Sequence, residues 1–487
     1  MLFNSWEFLC LLVLTFALYY MPVIPSHLAK GWQVMVVLTA SAVFYGWENP
    51  SLLWLLAVSC VGNSLATGRI ILYKVRGDEK KALQWVRWSV MLNLGLLGTF
   101  KYAGFLAGLL PFLPADSVAK AKSIPLPIGI SFYTFHGISM IVDLWRGEVT
   151  REGDDLLSHG ARFTKGVRDI GFYLLFFPQL VAGPIVKAKQ FWPQIDVKRF
   201  RDIRWSTVVR CLILGYFLKV FVADNLAEQT AILTLGPDVL AEAGPATLLP
   251  LLYGYSFQIF ADFGGYSLIA IGLAALFGYR FPDNFNFPYL SASITEFWRR
   301  WHMSLSAWLR DYLYIPLGGN RKGSARTYLN LYLVMFLGGL WHGAAWKFAL
   351  WGSLHGSLLA LERLVFRHRA QGGGKHPLRA ILGWFYTFNV ATVLWLTFLM
   401  PDMASVLAFF KGLLVAPVHV TGPPLFALLF YGTFAVLYHL WGWTKEHAPR
   451  LVQSALGGYP EGVAHGVMLF LLLTNPGAPR GFIYFQF

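Results

Sequence analysis

Charge is scarce in this sequence. Only 13% of its 487 residues are Asp, Glu, Lys or Arg, about half the share of roughly one quarter that a soluble domain carries. With 56% hydrophobic residues and a mean hydropathy of +0.52, this excludes a water-soluble globule and leaves a polytopic membrane protein. No segment is polar enough for a separate soluble domain, so residues 1–487 read as a single integral membrane domain. Cysteine is nearly absent: Cys10, Cys60 and Cys211 all fall in apolar runs, which excludes a disulfide framework, and no zinc-type spacing exists. No bound metal is expected. The sequence also lacks a Gly-x-Ser-x-Gly elbow, a His-Glu-x-x-His motif and a paired-carboxylate pattern, so hydrolase, metalloprotease and glycosidase readings lose support. The glycine-rich basic turn from Ile315 to Gly323 is not a P-loop, because the terminal Gly-Lys-Ser/Thr and the preceding strand are missing. The opening Met1-Leu-Phe-Asn-Ser-Trp-Glu7 has no basic n-region, so the first apolar run reads as a retained span.

What is present is a series of apolar runs. A hydrocarbon core needs about 20 such residues per helix, and candidates lie near 2–21, 31–47, 51–72, 90–110, 126–145, 206–223, 247–277, 328–346, 348–364, 380–400, 424–443 and 463–474. The 247–277 run is long enough to be tilted or broken. Two stretches, 170–186 and 285–316, are less regular; the first, with Pro178, Gly183, Pro184 and basic flanks, reads as re-entrant, which is tolerated at membrane depth only where protein buries it. Basic residues gather at 74–87, 146–168, 187–204, 299–326, 363–379 and 445–450, whereas 224–242 is acidic. The positive-inside rule puts the basic loops in the cytoplasm and both termini outside. The net charge of +15 is therefore mainly a topology signal, with anionic lipid head groups as a secondary partner. Spread over separate loops, it does not suggest nucleic-acid binding.

Ionisable residues inside such runs are functional-site candidates, since they cost several kcal/mol unless they face protein or a water-filled cavity. His342 is flanked by Gly338, Gly339 and Gly343, which let helices approach closely, with Trp341 and Trp346 as apolar walls. His302 lies on a stretch that reads as helical from Ser293 to Leu313, placing Trp298 and His302, and Glu296 and Arg300, on shared faces at i, i+4. Arg299, Arg300 and Arg310 are either positive-inside charge or ligands for phosphates of a nucleotide-like donor. Asp262, beside Gly264-Gly265, is a proton-relay group or an arginine's counter-ion, the second being slightly favoured. Five histidines in loops (His27, His159, His368, His376, His447) read as solvated. His136, His355, His419, His439 and His465 read as core imidazoles hydrogen-bonded to backbone.

Four motifs carry a resemblance. They are Phe176-Phe-Pro-Gln-Leu-Val-Ala-Gly-Pro184, Tyr255-Ser-Phe-Gln-Ile-Phe-Ala-Asp-Phe-Gly-Gly-Tyr266, the run from Asn286-Phe-Pro-Tyr-Leu through Thr295-Glu-Phe-Trp-Arg-Arg-Trp-His-Met-Ser to Ile315-Pro-Leu-Gly-Gly-Asn-Arg321, and Leu340-Trp-His-Gly343. Together they resemble the membrane-bound O-acyltransferase (MBOAT) superfamily, and the 315–321 loop is similar to its bacterial branch that O-acetylates exported polysaccharides such as alginate. The resemblance implies an all-α polytopic fold: a ring of about 11 transmembrane helices plus re-entrant segments around a central funnel, with a core at about 126–365. It implies His342 as the catalytic histidine and His302 at the second polar position. The donor would be cytoplasmic acetyl-CoA, docking at Arg299, Arg300, Trp301 and Arg310 with no bound cofactor, in a bacterial inner membrane. The acetyl group would leave outward to a periplasmic or extracellular O-acetyltransferase partner and then to polysaccharide. Leu268 departs from the pattern, since many members have Asp there.

The tail at 475–487, ending Phe482-Ile-Tyr-Phe-Gln-Phe487, is similar to the short C-terminal motif of these export systems, whose tyrosine is thought to carry the acyl group. Tyr484 is accordingly a possible acyl carrier, and interfacial anchoring is the other reading. Rival functions are D-alanyl-type transfer from a carrier protein, a transporter or flippase, and a membrane scaffold. No internal repeat is visible, which counts against the transporter.

Overall fold

The computed structural model describes residues 1–149, 163–181, 183–366, 377–414, 425–455 and 458–483. Helix accounts for 79% of the structure, with no strand among the described residues. Among these residues, seven helices are long and apolar enough to cross a membrane. Gly323–His342 and Trp346–Phe366 have the length but fall outside that apolar set, because Arg326, Asn330 and His342 in the first and His355, Glu362 and Arg363 in the second lower their hydropathy. Large apolar side chains point outward in quantity: Trp88, Phe112, Phe426 and Leu473 are each at least 65% exposed. A surface of that kind matches a lipid environment. His159, His368, His376, His419 and Tyr484 lie outside the described residues.

The chain forms two compact units. The first comprises residues 1–209 and 270–282. Its helices Trp6–Tyr19, Ser26–Gly46, Leu53–Val75, Glu79–Leu97, Ile130–Trp145 and Phe163–Leu175 pack around aromatic rings including Phe8, Phe44, Phe177 and Phe277. Polar side chains in this core are paired. The Asn63 and Asn93 amides bond each other across two helices, and Gln33 bonds the backbone of Tyr19 and Lys198. The irregular 170–186 stretch is broken: its helix ends at Leu175, resumes for Phe177–Leu180 with Pro178 in its first turn, and then leaves helical geometry.

The second unit, residues 210–269 and 283–487, holds His302, His342, Arg299, Arg300, Trp301 and Arg310. It contains Gly323–His342, Trp346–Phe366, Pro377–Leu399, Leu425–His447 and Tyr459–Thr474, and most of Pro245–Leu276. That last helix is unbroken over 32 residues, about 48 Å at 1.5 Å per residue. Its most apolar window is 94% buried, as expected of a helix hydrophobic on all sides. The expected continuous helix from 293 to 313 does not form. Ile294–Arg300 ends at Trp301, whose backbone is extended, and a second helix, Met303–Leu309, starts after His302 in the left-handed region at φ 41°. Trp298 and His302 therefore do not share one helix face.

Candidate functional site

His342 is the last residue of Gly323–His342, and glycine sets how that helix packs. A Cβ on Gly339 would stand 2.9 Å from Gly352 Cα and closer still to the Phe348 carbonyl, while one on Gly356 would meet Tyr332 Cα at 3.0 Å. The helices before and after His342 thus touch backbone to backbone, as small residues allow in membranes. The imidazole is 4% exposed and ringed by Trp341, Trp351 and Phe398 at centroid separations of 5.0, 5.3 and 5.3 Å. Trp346, expected as a wall, is 61% exposed; Trp351, one turn further along that helix, takes the place instead.

His302 is fully buried, its ring centroid 6.5 Å from that of His342. Its left-handed backbone is rare for a residue other than glycine and clusters at functional positions. Asn284 holds it there. The Asn284 backbone carbonyl accepts from Met303 N–H at 2.9 Å. Its side-chain Oδ1 accepts from Ser304 N–H at 3.3 Å and Ser304 Oγ at 2.7 Å, while its Nδ2 donates to Ser267 Oγ at 3.0 Å. A backbone N–H can only donate, so Oδ1 is the acceptor atom, and His302 Nδ1, 3.1 Å from it, must carry the proton. The neutral ring then presents Nε2 as a lone-pair acceptor, and Nε2 has no partner among the described residues. Asn284 was not singled out from the sequence. The signal available was a polar residue between Phe281 and Phe287, just ahead of the motif that was read.

The donor-site candidates are dispersed. Arg300 bonds Glu296 at 2.9 Å, as the i, i+4 spacing predicts, and also Glu446 at 2.6 Å. Arg310 bonds Asp311 at 2.7 Å, and Arg299 is exposed. Trp301 is buried, packed on Phe285, Phe297 and Trp395. Glu362 caps the Ile294–Arg300 helix, accepting from Ile294 N–H, Thr295 N–H and Thr295 Oγ1 at 2.6–2.9 Å. Of the histidines read as structural, His439 bonds the Ala435 carbonyl as expected. His355 instead accepts from the Trp298 indole, and neither His136 nitrogen has a partner among the described residues.

Asp262 pairs with a lysine, not an arginine. Lys219 Nζ lies 2.6 Å from both Asp262 Oδ1 and Asp224 Oδ1, with all three side chains at most 6% exposed. Beside them is a cavity of about 240 Å³, lined also by Thr230, Tyr255, Gln258, Leu399 and Arg480. The cavity adjoins the histidine pair through consecutive residues. Asp262 lines it while Phe263 meets His302 edge-on at 4.6 Å; Leu399 lines it while Phe398 meets His342.

The profile of MBOAT, the membrane-bound O-acyltransferase family, matches residues 169–405, a range that includes His302, His342, Asn284 and the Lys219 cluster. The chain is 39% identical over 404 residues to a protein of Azotobacter vinelandii named "Probable alginate O-acetylase AlgI", covering 82% of this chain and 75% of that one. It is 35% identical over 400 residues to the "Peptidoglycan O-acetyltransferase" of Helicobacter pylori, covering 79% and 73%. Similarity to the "Teichoic acid D-alanyltransferase" of Streptococcus thermophilus is 32% over 295 residues, covering 56% and 68%.

Proposed function

This chain belongs to the membrane-bound O-acyltransferase family, and from that premise we propose how its site transfers an acyl group. The protein is a multi-pass membrane O-acyltransferase of the polysaccharide O-acetylation branch. In our reading the donor is acetyl-CoA, which enters from the cytoplasmic side of a bacterial inner membrane near Arg299, Arg300, Trp301 and Arg310. His342 is the general base. It removes the proton from an attacking hydroxyl as the oxygen adds to the thioester carbonyl. The tetrahedral intermediate then expels the CoA thiolate, which takes up a proton, and an oxygen ester remains. Thioester to oxygen ester is nearly isoenergetic or downhill, so the transfer needs no further energy source.

His302 assists by orientation. With its Nδ1 proton committed to Asn284, the neutral ring can accept a hydrogen bond at Nε2 but cannot donate one to a developing oxyanion. It therefore orients an N–H or O–H group of the bound substrates, while His342 moves the proton. The hydroxyl acceptor is Tyr484 or a serine of an extracytoplasmic partner, from which the acetyl group passes to an exported polysaccharide. The observation that carries this reading is the enclosure of two histidines, 6.5 Å apart, in one buried aromatic pocket.

Radiolabelled acetyl-CoA added to the purified protein in nanodiscs tests it, with thioester loss and protein-bound label followed together. His342→Ala is expected to abolish both, and a variant that folds yet transfers acetyl normally would refute the base assignment. Tyr484→Phe is expected to remove label from the protein; full labelling in that variant would eliminate the tyrosyl intermediate and leave direct transfer. If acetyl-CoA is inert while an aminoacyl carrier protein loses its acyl group, the donor assignment gives way to D-alanyl-type transfer.

A further inference from the structure

The buried Lys219–Asp224–Asp262 cluster does not balance its own charge. One lysine faces two carboxylates, leaving a formal charge of −1 among side chains at most 6% exposed. Asp224 Oδ2 and Tyr255 Oη, both buried and both on residues lining the adjoining cavity, have no partner among the described residues. In such surroundings a surplus carboxylate takes either a counter-ion or a proton. What the cluster lacks is supplied by the chain's C-terminal segment. Arg480 is the only Lys or Arg after Arg450 in the sequence. It lines the same cavity, and counting its charge with the cluster brings the formal sum to zero.

The segment is also held through its backbone. Ile483 N–H donates to Asp262 Oδ2 at 2.9 Å, Gly477 N–H to the Val220 carbonyl at 3.1 Å, and the Asn225 side chain to the Asn475 carbonyl at 3.2 Å. Val220 lies in a π-helical stretch, Phe217–Ala223, a local geometry often found at functional sites. Only glycine fits at 477, where a Cβ would lie 2.7 Å from Asn225 N and from Asp224 C and Cβ. Phe482 is fully buried, stacked on Tyr266 at 4.6 Å and against Phe263 at 5.4 Å. Since Phe263 is the ring that meets His302, a single aromatic side chain separates the segment from the histidine pair.

We propose that Lys219, Asp224 and Asp262 form a latch for the C-terminal segment, with Asp262 and Arg480 as positioning residues that hold residues 475–483 beside His302. The docking contact stands on its own geometry. Its catalytic consequence, that acyl transfer needs the segment docked, rests on the function proposed above. The latch works by charge completion: the core keeps one surplus carboxylate, and the segment carries the one cation that matches it.

Hydrogen–deuterium exchange on the full-length protein in nanodiscs, read on peptides spanning 475–487, measures docking. Acetyl transfer from acetyl-CoA is measured on the same preparations. The variants are Gly477→Val, Arg480→Ala, Arg480→Lys and Asp262→Ala. Gly477→Val and Arg480→Ala lie on the segment itself and keep the test valid if Asp262→Ala fails to fold. Exchange at 477–483 is expected to accelerate about tenfold or more in the Val and Ala variants, the equivalent of roughly one net buried hydrogen bond. Arg480→Lys is expected to restore protection, and acetyl transfer to fall and recover in parallel. Unchanged exchange in both Gly477→Val and Arg480→Ala would overturn the latch. Accelerated exchange with wild-type transfer would overturn its positioning role. If the wild type shows no acetyl transfer but its segment is protected and released by the variants, the latch stands and the proposed donor reaction falls.

Discussion

Replacing Gly339 with alanine tests the claim that backbone contact between two helices sets the position of His342. The added methyl would stand 2.9 Å from Gly352 Cα, where ordinary contact begins at 3.4 Å, so the helices must part by at least the 0.5 Å difference. The demand is larger at the Phe348 carbonyl, which lies closer. Both obstacles are backbone atoms, so no side chain can swing aside. Overpacking of this kind costs about 1–3 kcal/mol of stability. His342 follows Gly339 by three residues on the same helix, less than one turn, and moves with it. A displacement of about 1 Å in a reacting group lowers rates by about 100-fold, so Gly339→Ala is expected to lose roughly 10–100-fold in acetyl transfer. The assay is single-turnover transfer of labelled acetyl, with the thermal unfolding midpoint measured on the same sample. Gly338→Ala is the control, because its Cβ would meet only the flexible end of Leu309 at 3.1 Å, and its transfer is expected near wild type. Wild-type transfer by Gly339→Ala, or equal losses in both variants, would refute the reasoning.

Three further predictions follow from the same geometry. Asn284→Ala strands buried donors on His302 and Ser304, which is expected to cost about 1–3 kcal/mol of stability. Transfer should drop by about 10–100-fold, as when an orienting partner is lost. Asn284→Asp keeps the acceptor and should retain more activity than alanine, the reverse order being incompatible with the tautomer assigned to His302. Glu362→Ala removes the acceptor of the first two N–H groups of the Ile294–Arg300 helix, leaving the Ser293 cap in place, and should lower stability by about 0.5–2 kcal/mol, read as a lower thermal midpoint; an unchanged midpoint would mean that water replaces the carboxylate. Arg300→Ala separates two roles: a higher KM for acetyl-CoA with an unchanged midpoint marks donor binding, whereas the reverse marks Arg300 as only the partner of Glu296 and Glu446.

The membrane class was legible because scarcity of charge is a property of the whole chain, and the close helix packing beside His342 because glycines at 338, 339 and 343 announce it. The Glu296–Arg300 pair was legible as a purely local spacing. The break at His302 was not. Residues 293–313 contain neither proline nor glycine, so local propensity favours one helix across them. The interruption comes from residues that precede that window: Asn284 takes Met303 N–H and both Ser304 donors, and Asn286 N–H bonds the Arg300 carbonyl at 2.9 Å. Tertiary hydrogen bonds thus override propensity at His302, the residue to which the proposed mechanism gives an orienting role.

The docking of the tail was equally hidden, because nothing local links residue 483 to residue 262. Charge accounting would have pointed to it. Between Arg210 and Arg280 the sequence has one basic residue, Lys219, set among apolar residues with Asp224 and Asp262 its available intramembrane partners. Two carboxylates around one lysine leave room for another cation, and Arg480 is the one Lys or Arg after Arg450. In the proposed latch, charge selects the cavity, the Asp262 acceptor fixes the register at Ile483, and Phe482 packs on the ring that meets His302. The register is therefore as much a property of the buried cluster as of the tail, so a change of charge at Asp224 should move the C-terminal segment even though residue 224 is far from it in sequence.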